Sequence, residues 1–244
     1  MPADEKPSFF DSLPFFGKGD KEERGSAELR DDFEKRSLEF RINCDDGNGD
    51  ESACHSLGEW HAVVEQKYED AARVYSKNCE KNCYAASCFN LARLHLAGKG
   101  VGQDDEAAAR LLHKSCEGGH IAGCSHLAHM CFAGAGVPRD PKRGARLLEK
   151  SCTLGGMGSC SKLGSLLLVH HEKYGLSKDA DKALELFARA CDNGWAPACH
   201  TLAVMYKQGD GVPQSDEKYQ HYRKLTQTLV EKTGRMGTRT TRAG

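Results

Sequence analysis

Apolar side chains recur at helical spacing through most of the chain, and the pattern breaks at regular intervals on a Gly-x-Gly element. Cys88-Phe-Asn-Leu-Ala-Arg-Leu-His-Leu-Ala-Gly-Lys-Gly-Val101 is echoed by Cys124-Ser-His-Leu-Ala-His-Met-Cys-Phe-Ala-Gly-Ala-Gly-Val137. Cys199-His-Thr-Leu-Ala-Val-Met-Tyr-Lys-Gln-Gly-Asp-Gly-Val212 keeps the same register. Each Gly-x-Gly stops one helix and supplies backbone freedom for a tight turn, and an acidic residue such as Asp104 or Asp140 then opens the next helix. The second helices are predicted over Glu106–Glu117, Pro141–Thr153 and Asp179–Asp192, Ala-rich and amphipathic with a Leu-Leu or Leu-Phe stripe.

Cysteines mark the same period. Ten of the twelve fall into local pairs: Cys44 and Cys54, Cys79 and Cys88, Cys116 and Cys124, Cys152 and Cys160, Cys191 and Cys199. Successive pairs begin 35, 37, 36 and 39 residues apart, the period of a stacked two-helix repeat. These positions predict an all-α, right-handed α-solenoid of about five helix–turn–helix repeats. The solenoid covers 29–232, with a capping helix near Leu29–Cys44 and a terminal helix over Ser215–Lys232. A flexible Phe-rich leader precedes it over 1–28, and a basic tail follows over 233–244. Two turns depart from the pattern. The first repeat, Trp60 to Tyr68, lacks Gly-x-Gly, and the fourth replaces it with Leu168 to Ser177.

In every pair one cysteine ends a second helix and the other begins the next first helix, so antiparallel packing brings the two Cα atoms near disulfide separation. A bridge between them is the expected state; the alternative is a reduced, buried thiol acting as a small hydrophobe. No Cys-x-x-Cys exists anywhere in the chain, which argues against structural zinc. Cys83 and Cys131 are left over as candidate free or redox thiols. Cys83 competes for Cys79 or Cys88, and Cys131 lies mid-helix as a core residue.

The Leu-Ala, aromatic and Gly-x-Gly-Val elements with a following Lys/Ala helix resemble the Sel1-like repeat family, over about Leu29 to Lys232. The Cys-x7-Cys ladder is similar to that of the cysteine-rich Sel1 proteins, which include secreted bacterial Hcp proteins and mitochondrial cytochrome c oxidase assembly factors. That resemblance implies a protein-binding scaffold whose partners are respiratory-complex subunits, supporting oxidase assembly. A permanent accessory subunit of a respiratory complex, or a thiol–disulfide exchange or haem-handling protein, are the alternatives. Trp60, His61, His95, His129 and Tyr206, all on first helices, are the candidate groove contacts.

Charge narrows the field further. Lys+Arg of 34 against Asp+Glu of 35 gives a net charge of -1, so no global field favours nucleic acid. No apolar run approaches the roughly 20 residues of a membrane-spanning helix. The N-terminus, Met-Pro-Ala-Asp-Glu-Lys-Pro-Ser-Phe-Phe, has neither an apolar signal core nor an Arg-rich transit pattern. Oxidised cysteines without either signal point to the mitochondrial intermembrane space. The eleven histidines raise haem or copper, His126 and His129 beside Cys131 above all, but no Cys-x-x-Cys-His attachment motif is present. The expectation is therefore no resident cofactor and no metal. No nucleophile motif stands in an α/β context, and the Ser-x-x-Lys string Ser159–Lys162 overlaps a bridging cysteine, so a non-enzyme is expected. Pro7 to Phe16, with four Phe and one Leu, reads as a docking peptide or as a leader with incidental aromatics.

Overall fold

The computed structural model describes residues 34–168 and 174–238, without the side chains of 233–238. The Phe-rich segment Pro7–Phe16, the start of the expected capping helix at 29–33, and most of the variant fourth turn lie outside the described residues. Eleven α-helices and no strand occur among the described residues. They are α1 (34–44), α2 (Glu51–Glu59), α3 (Tyr68–Lys81), α4 (Ala85–Ala97), α5 (Asp105–Glu117), α6 (Ile121–Ala133), α7 (Pro141–Thr153), α8 (Met157–Leu168), α9 (Ala180–Asp192), α10 (Ala196–Gln208) and α11 (Asp216–Thr238). Helices α2 to α11 form five antiparallel pairs, each packed on the next, and α1 ends at Cys44, paired with Cys54 of α2, in the place of a second helix. This is an α-solenoid.

The caps explain where each pair begins and ends. The side chains of Asp50, Asp104, Asp140 and Asp179 accept hydrogen bonds from the backbone N–H of Ala53, Ala107, Arg143 and Lys182, at 2.7 to 3.0 Å. Gly98, Gly134 and Gly209 close α4, α6 and α10 in the left-handed region, with φ of 61°, 77° and 75°. Between caps, the amphipathic stripes meet in a core that runs from repeat to repeat. Tyr75, Leu112, Leu127, Leu148, Phe187 and Leu202 are its large, fully buried members. Small residues let the helices close. Gly58 lies under the Tyr75 ring and Gly164 under the Phe187 ring, where an added Cβ would collide or press.

One irregular turn takes a definite shape, and one boundary differs from expectation. The first-repeat turn is a single π-helical turn, Trp60–Val64, that continues α2 without a glycine. Helix α11 runs to Thr238, six residues beyond Lys232 and into the segment expected as a basic tail. No proline interrupts that stretch, and its two glycines, Gly234 and Gly237, cost a helix only about 1 kcal/mol each.

Candidate functional site

The five expected cysteine pairs all lie at disulfide distance, with Cα separations of 4.5 Å (Cys44–Cys54), 4.9 Å (Cys79–Cys88), 4.5 Å (Cys116–Cys124), 4.7 Å (Cys152–Cys160) and 4.8 Å (Cys191–Cys199). Each pair ties the end of one second helix to the start of the next first helix, so every repeat junction carries one. All ten sulfurs belong to buried residues. At two junctions the positions just before the pair also couple the two helices. Asn78 Nδ2 donates to Ser87 Oγ at 2.8 Å, and Ser151 Oγ meets Ser159 Oγ at 2.8 Å. Ser159, first residue of the Ser-x-x-Lys string, is thus buried and engaged beside the bridge. At the third junction Gly123 replaces the partner, and Ser115 Oγ is left buried without a hydrogen bond.

The two remaining thiols are placed in opposite environments. Cys83 is exposed on the loop between α3 and α4, with φ of 52°, inside the segment that the Cys79–Cys88 pair encloses. Cys131 packs among Ala92, Leu112, Leu127 and Met130, and burial pushes its thiol pKa up.

The first helices share one face, on which α2 touches α4 and α4 touches α6. At its N-terminal end Glu65, which sequence reasoning missed, organises two candidate groove residues. Its carboxylate accepts from Trp60 Nε1 at 3.2 Å, His61 Nδ1 at 2.9 Å, Lys67 Nζ at 3.0 Å and Arg41 Nη2 at 3.2 Å. Burial alone would raise the Glu65 pKa, but the bonds from His61, Lys67 and Trp60 overcome it and hold the carboxyl at about 2. The only signal in the chain was its i+4 relation to His61, which a helix places on one face.

Beside that hub a cleft of about 540 Å³ opens between the π-helical turn, α3, α4 and α6. Val63, Tyr68, Tyr75, Asn90, Arg93 and His126 are among its walls. Asn90 Nδ2 donates to the Tyr75 hydroxyl at 3.2 Å, and burial pushes the Tyr75 pKa up. Rings continue across the face: His55 lies 5.3 Å from Tyr84, and Phe89 lies 4.7 Å from His120 and 5.1 Å from His126. Burial pulls the pKa of His55 and His120 down, against Glu59 in the first case and with His55 and His126 in the second. His129 stands at the surface of α6. Partial burial, Lys162 and His126 lower its pKa.

The remaining groove candidates are spread apart. The His95 ring Nδ1 lies 3.3 Å from the Gly102 carbonyl in its own turn. Tyr206 does not line an open groove in this form: it is 7% exposed and stacked on Tyr222 of α11 at 5.7 Å, with Lys218 Nζ over its ring. The sequence register that aligned it with the other first-helix positions carried no information on the longer last helix, which covers it. Among the described residues no group of three or more His, Cys, Asp or Glu is placed to hold a metal ion. No helix among them is long and apolar enough to cross a membrane.

A stack of two-helix units with this turn chemistry is a helical repeat protein, and the Sel1 repeat model matches residues 85–120, 121–156, 159–195 and 196–218, more than half of the chain. The chain belongs to the Sel1 repeat family. Among curated proteins it is 28% identical to cytochrome c oxidase assembly factor 7A of Xenopus laevis, over 80% of this chain and 86% of that protein. It is 29% identical to cytochrome c oxidase assembly factor 7 of Homo sapiens and 27% identical to that of Danio rerio. These matches cover 68% and 75% of this chain but only 58% and 65% of the two relatives. The fold is shared with a Sel1 repeat protein from Oxalobacter formigenes, at a TM-score of 0.64 and 20% identity over 73% of this chain and 71% of that one. A protective antigen of uropathogenic Escherichia coli gives a TM-score of 0.66 at 26% identity, over 79% of this chain and 41% of the other.

Proposed function

We propose that the chain is a disulfide-stapled, non-catalytic scaffold of the mitochondrial intermembrane space that supports assembly of cytochrome c oxidase by binding respiratory-complex subunits. The observation that carries this reading is the match to the Xenopus laevis assembly factor over 80% of the chain, taken with a cysteine pair at every repeat junction. Bridged junctions suit an oxidising compartment. A rigid row of first helices presents one continuous face to a partner. The cleft beside Tyr75 and the ring-rich surface of α2, α4 and α6 are the proposed docking face.

Complexome profiling of mild-detergent mitochondrial extract tests the reading, with and without the gene. The expected result is a free or small species with a minor fraction on oxidase intermediates, and accumulation of those intermediates when the protein is removed. Quantitative co-migration with a mature complex would make it a permanent subunit. Absence from mitochondria would overturn the proposal.

The Glu65 hub makes a smaller prediction of its own. Its folded pKa lies below the ordinary carboxylate value, so its contribution is present above about pH 4.5 and is lost as pH falls toward about 2. Glu65→Gln should lower the melting temperature by a few degrees at neutral pH, and that gap should close as the pH falls through this window. A gap independent of pH would reject the ionised hub.

A further inference from the structure

One edge of the solenoid is built from the loops that join each second helix to the next first helix. Most large apolar side chains are inside, yet Ile121, Leu154 and Trp195 stand on this edge at 39%, 40% and 41% exposure. They belong to three successive junctions: Ile121 opens α6, Leu154 caps α7, and Trp195 precedes α10. They also form a line. Ile121 Cδ1 lies 4.0 Å from where a Cβ on Gly155 would stand, beside Leu154, and the Trp195 ring lies 3.4 Å from where a Cβ on Gly158 would stand.

One helical turn behind the apolar line runs a second row. Lys114, Lys150 and Arg189 are the basic residues of the last turns of α5, α7 and α9, each two positions before its bridging cysteine, and all three are exposed. Acids on this edge are fewer. Glu117 is engaged by His113 at 3.3 Å, and Asp192 lies at the end of α9.

We propose that this edge is a peripheral contact for an anionic lipid bilayer. Tryptophan and aliphatic side chains settle at the boundary between headgroups and acyl chains, and lysine and arginine one turn away then stand at headgroup level. A row of cations in a chain whose net charge is -1 has local complementarity to anionic lipid. Three successive junctions each carry one such tip, so neighbouring loops present apolar side chains along one edge. The disulfide at each junction fixes the loop that carries each apolar tip. This inference is independent of the assembly role.

Flotation of the full oxidised chain with vesicles tests it, using phosphatidylcholine alone and phosphatidylcholine carrying cardiolipin. Expected are about tenfold more protein on the cardiolipin vesicles and a decline of that fraction with added salt. The triple variants Ile121→Ser/Leu154→Ser/Trp195→Ser and Lys114→Gln/Lys150→Gln/Arg189→Gln should each abolish most of the binding. The second set lies on exposed side chains, so it keeps the test sound even if the first perturbs folding. Equal binding to both vesicle types, no binding, or full binding by the charge variant would overturn the proposal. So would loss of a co-purifying protein in the charge variant without any vesicle binding by the wild type, which would assign the edge to a protein partner.

Discussion

Reduction of the five bridges should abolish cooperative thermal unfolding of this protein or lower its melting temperature by more than about 20 °C. Each bridge closes a sequence separation of only 8 to 10 residues. On the chain-entropy account a loop of that size stabilises by about 2.5 kcal/mol. Five together approach the whole stability of an ordinary domain, about 5–15 kcal/mol. The effect is concentrated where a solenoid needs it, because each repeat contacts only its neighbours and overall stability depends on the junction terms. Calorimetry of the oxidised and fully reduced chain checks it. A fall of less than about 5 °C would mean that the buried cysteines contribute mainly as small apolar residues. Mass spectrometry after alkylation fixes the starting state: the oxidised native chain should take label at Cys83, while Cys131 should react only after denaturation.

The repeat architecture was legible because three independent signals share one period. The cysteine pairs return after 35 to 39 residues, the Gly-x-Gly turns of three repeats fall in the same register, and only a stack of two-helix units satisfies these together with the apolar spacing. Helix starts were equally clear where an aspartate follows the Gly-x-Gly turn, as at Asp104 and Asp140. The candidate site was far less legible. Glu65 follows a turn that breaks the pattern, and its four donors come from three separate parts of the chain, Arg41, Trp60 with His61, and Lys67. Tyr206 shows the opposite failure. Its register matches that of other first-helix residues, but burial depends on which side chain faces it from the paired second helix, and here Tyr222 of α11 stacks on it. The edge carrying Ile121, Leu154 and Trp195 was invisible for a related reason. Its three apolar residues stand at slightly different offsets from their cysteines, and only the folded loops bring them into line.

The second glycine of each Gly-x-Gly carries more than turn freedom, and Gly136→Ala should cost about 3 kcal/mol, or roughly 10 °C in melting temperature. Gly136 has φ of 64°, where an alanine side chain is strained, and its Cβ would overlap the backbone carbonyl of Asp105 at the start of α5. Gly100 makes the same approach to the Tyr68 carbonyl at the start of α3, with φ of 68°. The turn of one repeat is thus pressed against the first residues of the preceding second helix. No flexible side chain can move aside, because the obstacle is main chain that also begins a hydrogen-bonded helix. Gly119→Ala is the control. Gly119 also has positive φ, 81°, but nothing lies within 4 Å of the added Cβ. It should cost only the conformational strain, about 1–2 kcal/mol. Equal losses in the two variants would show that both glycines serve the turn alone, whereas a larger loss at Gly136 assigns it to the repeat junction.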